Sequence, residues 1–298
     1  MKFTSHHPPY EYLRKKWIAR HRQASESFLD SHSDTIKHLT LGGLGGLLML
    51  SNPAAMASLP QNTNGLLADR SANRDQEPQL RTVKHLQESV PTEVRKLTIE
   101  EEKEIEEILS QQYNLPVKAE IDGIKLNRSY GLIGGEQHLY RYPGDTVFKH
   151  ADTTSDWAMY GGSGIAPGLG AWGYFVPSEA QFSNKDKLRE RYYIAVQTFL
   201  APGFAENVGK YRDFFKFRKM LLVNPKTGQA VVTVVGDAGP AEWTGKHLGG
   251  SPEVMHFVGY AKGPRKGPVL YFFIDDPKDE VPLGPIDPAQ GYANLVKI

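Results

Sequence analysis

The chain has no cysteine. That excludes disulfides, thiolate metal sites and a cysteine nucleophile, and it fits either redox compartment. Charge of one sign is missing too: 35 Lys and Arg stand against 34 Asp and Glu, a formal net charge of +1. No whole-chain field therefore draws in nucleic acid, and none is expected as a partner. No apolar stretch reaches the roughly 20 residues of a comfortable membrane helix. No serine stands in Gly-x-Ser-x-Gly, so a hydrolase elbow is not supported. The glycines of Tyr130-Gly131-Leu132-Ile133-Gly134-Gly135 are followed by no Lys-Ser pair and open no helix, which argues against a phosphate loop. His138 and His150 stand without metal-ligand spacing to each other or to carboxylates, so neither a metal nor a cofactor is expected. There is no fixed-period repeat and no heptad run.

What is present begins with a leader. Arg14, Lys15, Lys16, Arg20, Arg22 and Lys37 precede an uncharged, mostly apolar stretch over residues 39–50, then Ser51-Asn52-Pro53 and Ala55-Met56-Ala57. A basic region, a short apolar core, a breaker and A-x-A make residues 1–57 a signal peptide with a long basic region, cleaved after Ala57. The variant is an uncleaved signal anchor with its basic end inside. Tyr10, Leu13, Trp17, Ala24 and Phe28 fall at helical spacing within the basic part. The expected location is extracytoplasmic, in the cell envelope or secreted, with membrane contact only through the leader if it is retained.

Residues 58–93 read as a polar spacer. Thr98 with Glu101 makes a capping box, and Ile105, Ile108 and Leu109 form a narrow apolar stripe, so a helix follows. Its acidic run suits the positive end of the helix dipole and reads as a solvated face. Asn114 and Pro116 stop the helix. Val117, Ala119 and Ile121 alternate with charged residues up to Asp122-Gly123, a hairpin signal. Residues 94–142 thus read as a small α/β element ahead of a main domain over 143–298.

The main domain reads as all-β. Strands are expected at 192–199, at 220–223 and 230–235 around the loop Asn224-Pro225-Lys226-Thr227-Gly228-Gln229, and at 269–274. The densest signal is Val231-Val232-Thr233-Val234-Val235 ending in Gly236-Asp237-Ala238-Gly239-Pro240. A β-branched run delivers one carboxylate, Asp237, to a turn fixed by glycine and proline.

In this order and spacing, the hairpin, Asp-x-Gly-Pro, Gly245-Lys246-His247 and Ser251-Pro252-Glu253 resemble the second half of double-psi β-barrel domains, especially RlpA-like lytic transglycosylases and expansins. Tyr160-Gly161 resembles part of the Trp-Tyr-Gly that opens such domains. The resemblance implies a six-stranded double-psi barrel acting on peptidoglycan or another cell-wall polysaccharide. Val196 stands where RlpA-like enzymes carry a histidine, no glutamate stands near Tyr174, and Gly249 replaces the second aspartate of expansins.

A lytic transglycosylase manages with one acid/base, because the 6-hydroxyl of the sugar is the nucleophile. Asp237 is the catalytic candidate, with Glu242 close in sequence as the carboxylate to raise its pKa. Trp243, Trp172, Tyr160 and Tyr174 are the candidate sugar platforms, and core packing is the competing role for each. His247 is a candidate glycan donor or proton relay, with a plain surface histidine as the alternative. Two functions follow: a transglycosylase acting through Asp237, or a non-catalytic, expansin-like glycan-binding or structural cell-surface protein.

Overall fold

A computed structural model describes residues 78–288. The leader, its cleavage point after Ala57 and the first part of the spacer lie outside the described residues. The strands are β1 Val117–Lys118, β2 Glu120–Ile121, β3 Ile124–Lys125, β4 Tyr130–Gly135, β5 Tyr193–Val196, β6 Lys219–Val223, β7 Ala230–Ala238, β8 Leu248–Gly250, β9 Lys266–Ile274 and β10 Gly284–Ile286. Six of them close on themselves. Strand β9 pairs β4, β4 pairs β8, β8 pairs β5, β5 pairs β7, β7 pairs β6, and β6 returns to β9. The molecule is mainly β, a closed six-stranded mixed barrel with a few helices.

The pairing has an internal symmetry. β4·β8 and β5·β7 are parallel, and the other four barrel pairings are antiparallel. Exchanging β4, β5 and β6 for β7, β8 and β9 turns β4·β8 into β7·β5 and β4·β9 into β7·β6. β5·β8 and β6·β9 map onto themselves. Each barrel pairing joins a strand of the first trio to one of the second. The two longest strands each serve two partners along one edge: β9 pairs β4 and then β1, and β7 pairs β10 and then β5.

The apolar runs follow from burial on two faces. Met220, Leu222, Val231, Val235, Val269, Tyr271 and Phe273 point into the barrel with Ile133, Ile194, Val196 and Leu248. Their neighbours Leu221, Val223, Val232, Leu270, Phe272 and Ile274 face outward into a second core. Strands buried on both faces read as continuous hydrophobic runs rather than alternating ones.

Helices supply the outer layer. α1 (residues 78–89) falls within the expected spacer. Its anchor is Leu86, fully buried in the outer core, with Thr82 buried one turn earlier. Leu80, Val83 and Leu86 give only a short, narrow stripe, and Leu80 is exposed, too weak a signal to stand out in the sequence. α2 (Ile99–Tyr113) has the expected capping box at Thr98 and Glu101, and Asn114 ends it in the left-handed region. It buries Ile105, Leu109 and Tyr113 against the barrel wall, and the Tyr113 hydroxyl donates to Gly228 O (2.9 Å).

The hairpin expected after α2 divides in two. β2 and β3 pair across Asp122-Gly123, both at positive φ (53° and 75°), while Val117–Lys118 leaves them to pair with β9. Residues 94–142 are thus built into the barrel and its outer core, and β4, a barrel strand, lies ahead of residue 143. The β4–β5 crossover, residues 136–192, carries α3 (Thr154–Tyr160) and α4 (Asn184–Arg191). α5 (Val208–Phe215) packs Tyr211, Phe214 and Phe215 into the inner core, and α6 (Pro252–Phe257) adds Val254 and Met255 under a Ser251 cap. Among the described residues no helix is long and apolar enough to cross a membrane.

Candidate functional site

Asp237 stands at the end of β7, where a register shift against β5 sets it beside Ala195. The Ala171 N–H (2.6 Å) and the Ala238 N–H (2.7 Å) both donate to its Oδ1. Oδ2 has no hydrogen-bond partner among the described residues. The carboxylate is half-buried beneath the Gly170-Ala171 loop, and a Cβ on Gly170 would come within 3.1 Å of it. Burial raises its pKa, outweighing the two amide hydrogen bonds that pull the other way.

The other residues expected around it are dispersed. Trp172 is 7% exposed, lies in the inner core, and donates from Nε1 to Val235 O (3.1 Å). Tyr160 is buried edge-on to His256. Tyr174 is partly exposed, with its ring edge-on to Tyr140. Trp243 is 88% exposed on a short 3-10 turn with Glu242, which is also exposed. His247 accepts at Nδ1 from the Leu132 N–H (2.9 Å), and its Nε2 meets Arg128 Nη1 (2.8 Å). Burial, then the charges of Arg128 and Lys266, push His247 down to about 4, so it is a neutral ring at physiological pH. Val196 is sealed in the core.

Sequence reasoning missed Glu136. Gly249 pairs with Ala195 on β5 and with Gly134 on β4, and the Glu136 side chain fills the space that a Cβ on Gly249 would need. A carboxylate from the end of β4 thus stands over Gly249, in the space a side chain there would take. Asp237, Ala195 and Gly249 form one row across the sheet, with Gly249, beneath the Glu136 side chain, two strand spacings or about 10 Å from Asp237. Glu136 pairs with Lys246 Nζ (2.7 Å) and lines an open cleft of about 420 Å³ with Gln137, Ser163, Lys246, Arg265 and Lys266. Asp237 is not part of that lining. Three cations against one carboxylate suit an acidic, hydroxyl-rich ligand.

A second cleft of about 440 Å³ lies against the crossover, lined by Phe148, Ala151, Asp152, Thr153, Thr154 and Trp157. Phe148 is 72% exposed and stacks on Trp157 with centroids 4.7 Å apart. These rings, rather than Trp172 or Tyr160, are the surface aromatics beside hydroxyl and carboxylate groups.

The crossover also buries a charged cluster. Glu190 on α4 accepts from the Leu139 N–H (3.1 Å), its Oε1 meets His138 Nδ1 (3.2 Å), and its Oε2 meets His150 Nδ1 (2.9 Å). His150 Nε2 meets Asp145 Oδ2 (3.1 Å), and Arg141 clamps Asp145 with Nε and Nη2, each at 2.8 Å. Burial alone would lower His150, but the bonds to Asp145 and Glu190 override it and lift the ring to about 9. His138, His150 and Glu190 are the described residues placed to hold a metal ion, with one ligand atom of each within 4.8 Å of the others. Their sequence spacing carried no such signal, because the fold alone brings them together.

No family model matches the chain, and comparison with curated proteins and with solved structures found no match.

Proposed function

We propose that this is an exported cell-envelope barrel that binds glycan strands, peptidoglycan first among them, without cleaving them, and that the barrel is of the double-psi kind found in RlpA-like and expansin domains. Its symmetric pairing and the Asp-x-Gly-Pro at the end of β7 support the barrel type. The observation that carries the binding role is the open cleft at the end of β4 and β8, where Lys246, Arg265 and Lys266 surround Glu136. Cations, amides and hydroxyls there match the carboxylates and hydroxyls of an acidic glycan. Asp237, outside that cleft and roofed by Gly170-Ala171, acts as a turn-holding residue.

A second reading keeps the chemistry. The unengaged Oδ2 and the raised pKa of Asp237 favour it, together with the carboxylate of Glu136 across the row. Protonated Asp237 gives its proton to the glycosidic oxygen as the C1–O bond breaks. The carboxylate then takes the proton of the 6-hydroxyl, which bonds to C1 and leaves a 1,6-anhydro end.

Purified sacculi incubated with the full chain separate the two readings, with pelleted protein quantified and released muropeptides read by mass spectrometry. Binding predicts that wild type and Asp237→Asn pellet alike without products, while the double variant Arg265→Ala/Lys266→Ala stays in the supernatant. Anhydro-ended products from wild type and none from Asp237→Asn replace the binding reading with the enzymatic one. Neither pelleting nor products overturns both.

A further inference from the structure

We propose that His138, His150 and Glu190 bind one divalent transition-metal ion, zinc by the ligand set, and that the ion fastens the β4–β5 crossover to the barrel. The three come from separate places: His138 just after β4, His150 at the end of the 3-10 turn Val147–His150, and Glu190 in the last turn of α4. Glu190 lies 52 residues from His138 and 40 from His150. All three are buried.

The inner geometry fits. The two imidazoles present Nδ1 to opposite oxygens of one carboxylate, at 3.2 and 2.9 Å, with ring centroids 4.5 Å apart. Ligand atoms bound tetrahedrally to zinc at about 2.1 Å stand roughly 3.4 Å apart, so small shifts admit the ion. Two imidazoles and a carboxylate are a zinc-type donor set. The ion takes the place of the protons that now lie between the nitrogens and Glu190, so its binding releases protons.

The surroundings fit as well. A ligating histidine usually donates its other ring N–H to a carboxylate, which fixes the ring. His150 offers Nε2 to Asp145, and the Arg141 fork holds Asp145 in place. The Leu139 N–H does the same for Glu190.

Unpaired polar atoms and buried carboxylates gather around the same three residues. Among the described residues, three buried side-chain polar atoms lack a hydrogen-bond partner, and two of them, His138 Nε2 and Glu253 Oε2, belong to this neighbourhood. Glu253 is 2% exposed and lies close enough to Glu190 for their charges to repel. A buried divalent ion offsets the crowding of Asp145, Glu190 and Glu253. In a chain without cysteine, such an ion closes the loop that a disulfide closes elsewhere.

The test uses the full chain, stripped with chelator and titrated with Zn²⁺ alone by calorimetry and with Co²⁺ by visible absorption, followed by thermal unfolding. Expected are one ion per chain, a Co²⁺ band of nitrogen and oxygen coordination, and a higher unfolding midpoint with Zn²⁺. Glu190→Gln should lose that ion and Asp145→Asn should weaken it by about 10–100-fold, while the exposed His85→Ala leaves it unchanged. If Glu190→Gln does not fold, His138→Ala, which keeps the His150 bonds to Asp145 and Glu190, makes the same comparison. Wild type without a stoichiometric ion, or variants that bind as tightly as wild type, overturn the proposal.

Discussion

Trp172 and Trp243 are equal candidates in the sequence, and only neighbours distant along the chain tell them apart. Trp172 lies among barrel side chains and donates to Val235 O, whereas Trp243 rides on an exposed turn. Trp172→Ala should cost about 3–5 kcal/mol of stability and Trp243→Ala less than about 0.5 kcal/mol, as read from urea unfolding; equal costs would contradict the burial. At His247 the prediction concerns pH. The unfolded ring takes up a proton near 6.5, while burial and the charges of Arg128 and Lys266 delay this in the fold to about 4. The unfolded state therefore binds more protons in between, and stability falls as pH drops from 6.5 towards 4. His247→Gln keeps an acceptor for the Leu132 N–H and removes the titration, so its unfolding midpoint should change less between pH 7 and pH 4.5 than that of wild type.

Among elements, legibility followed side-chain ownership of space. β6, β7 and β9 fill both their faces with their own residues, and their apolar runs announced them. β4 and β8 are rich in glycine because side chains from elsewhere lie over them: Lys246 over Gly134 and Glu136 over Gly249. A strand whose surface is supplied by other segments has no β-branched signature of its own, so neither β4 nor β8 is among the strands expected from the sequence. Gly250→Ala tests this crowding: its methyl would meet Ile133 Cδ1 at 2.9 Å and Val254 Cγ1 at 3.1 Å, and should cost about 1–3 kcal/mol in a denaturation series. On α2, where the capping box was legible because it is local, Thr98→Ala should cost about 1 kcal/mol.

At the scale of the whole molecule, the site was the least legible part. Asp237 was visible because its strand and turn are contiguous. Glu136, the cationic cleft and the buried histidines depend on contacts such as His150–Glu190, His138–Glu190 and Glu136–Lys246, between residues 40, 52 and 110 positions apart. Local patterns do not encode such distances. The doubly buried strands β6, β7 and β9 form the stable centre, so amide hydrogen exchange should be slowest there and faster in the crossover over residues 136–192; uniform exchange would contradict a graded fold.

Since each barrel pairing couples one trio of strands to the other, the ribosome can finish β4, β5 and β6 without one barrel rung being able to close. The first to form is the β6–β7 hairpin, and the nascent chain ahead of it has to wait, apolar strands bare, for its complement to be translated. A nick in the loop between Val223 and Ala230 would leave two polypeptides, neither holding a barrel pairing of its own, each the template on which the other zips.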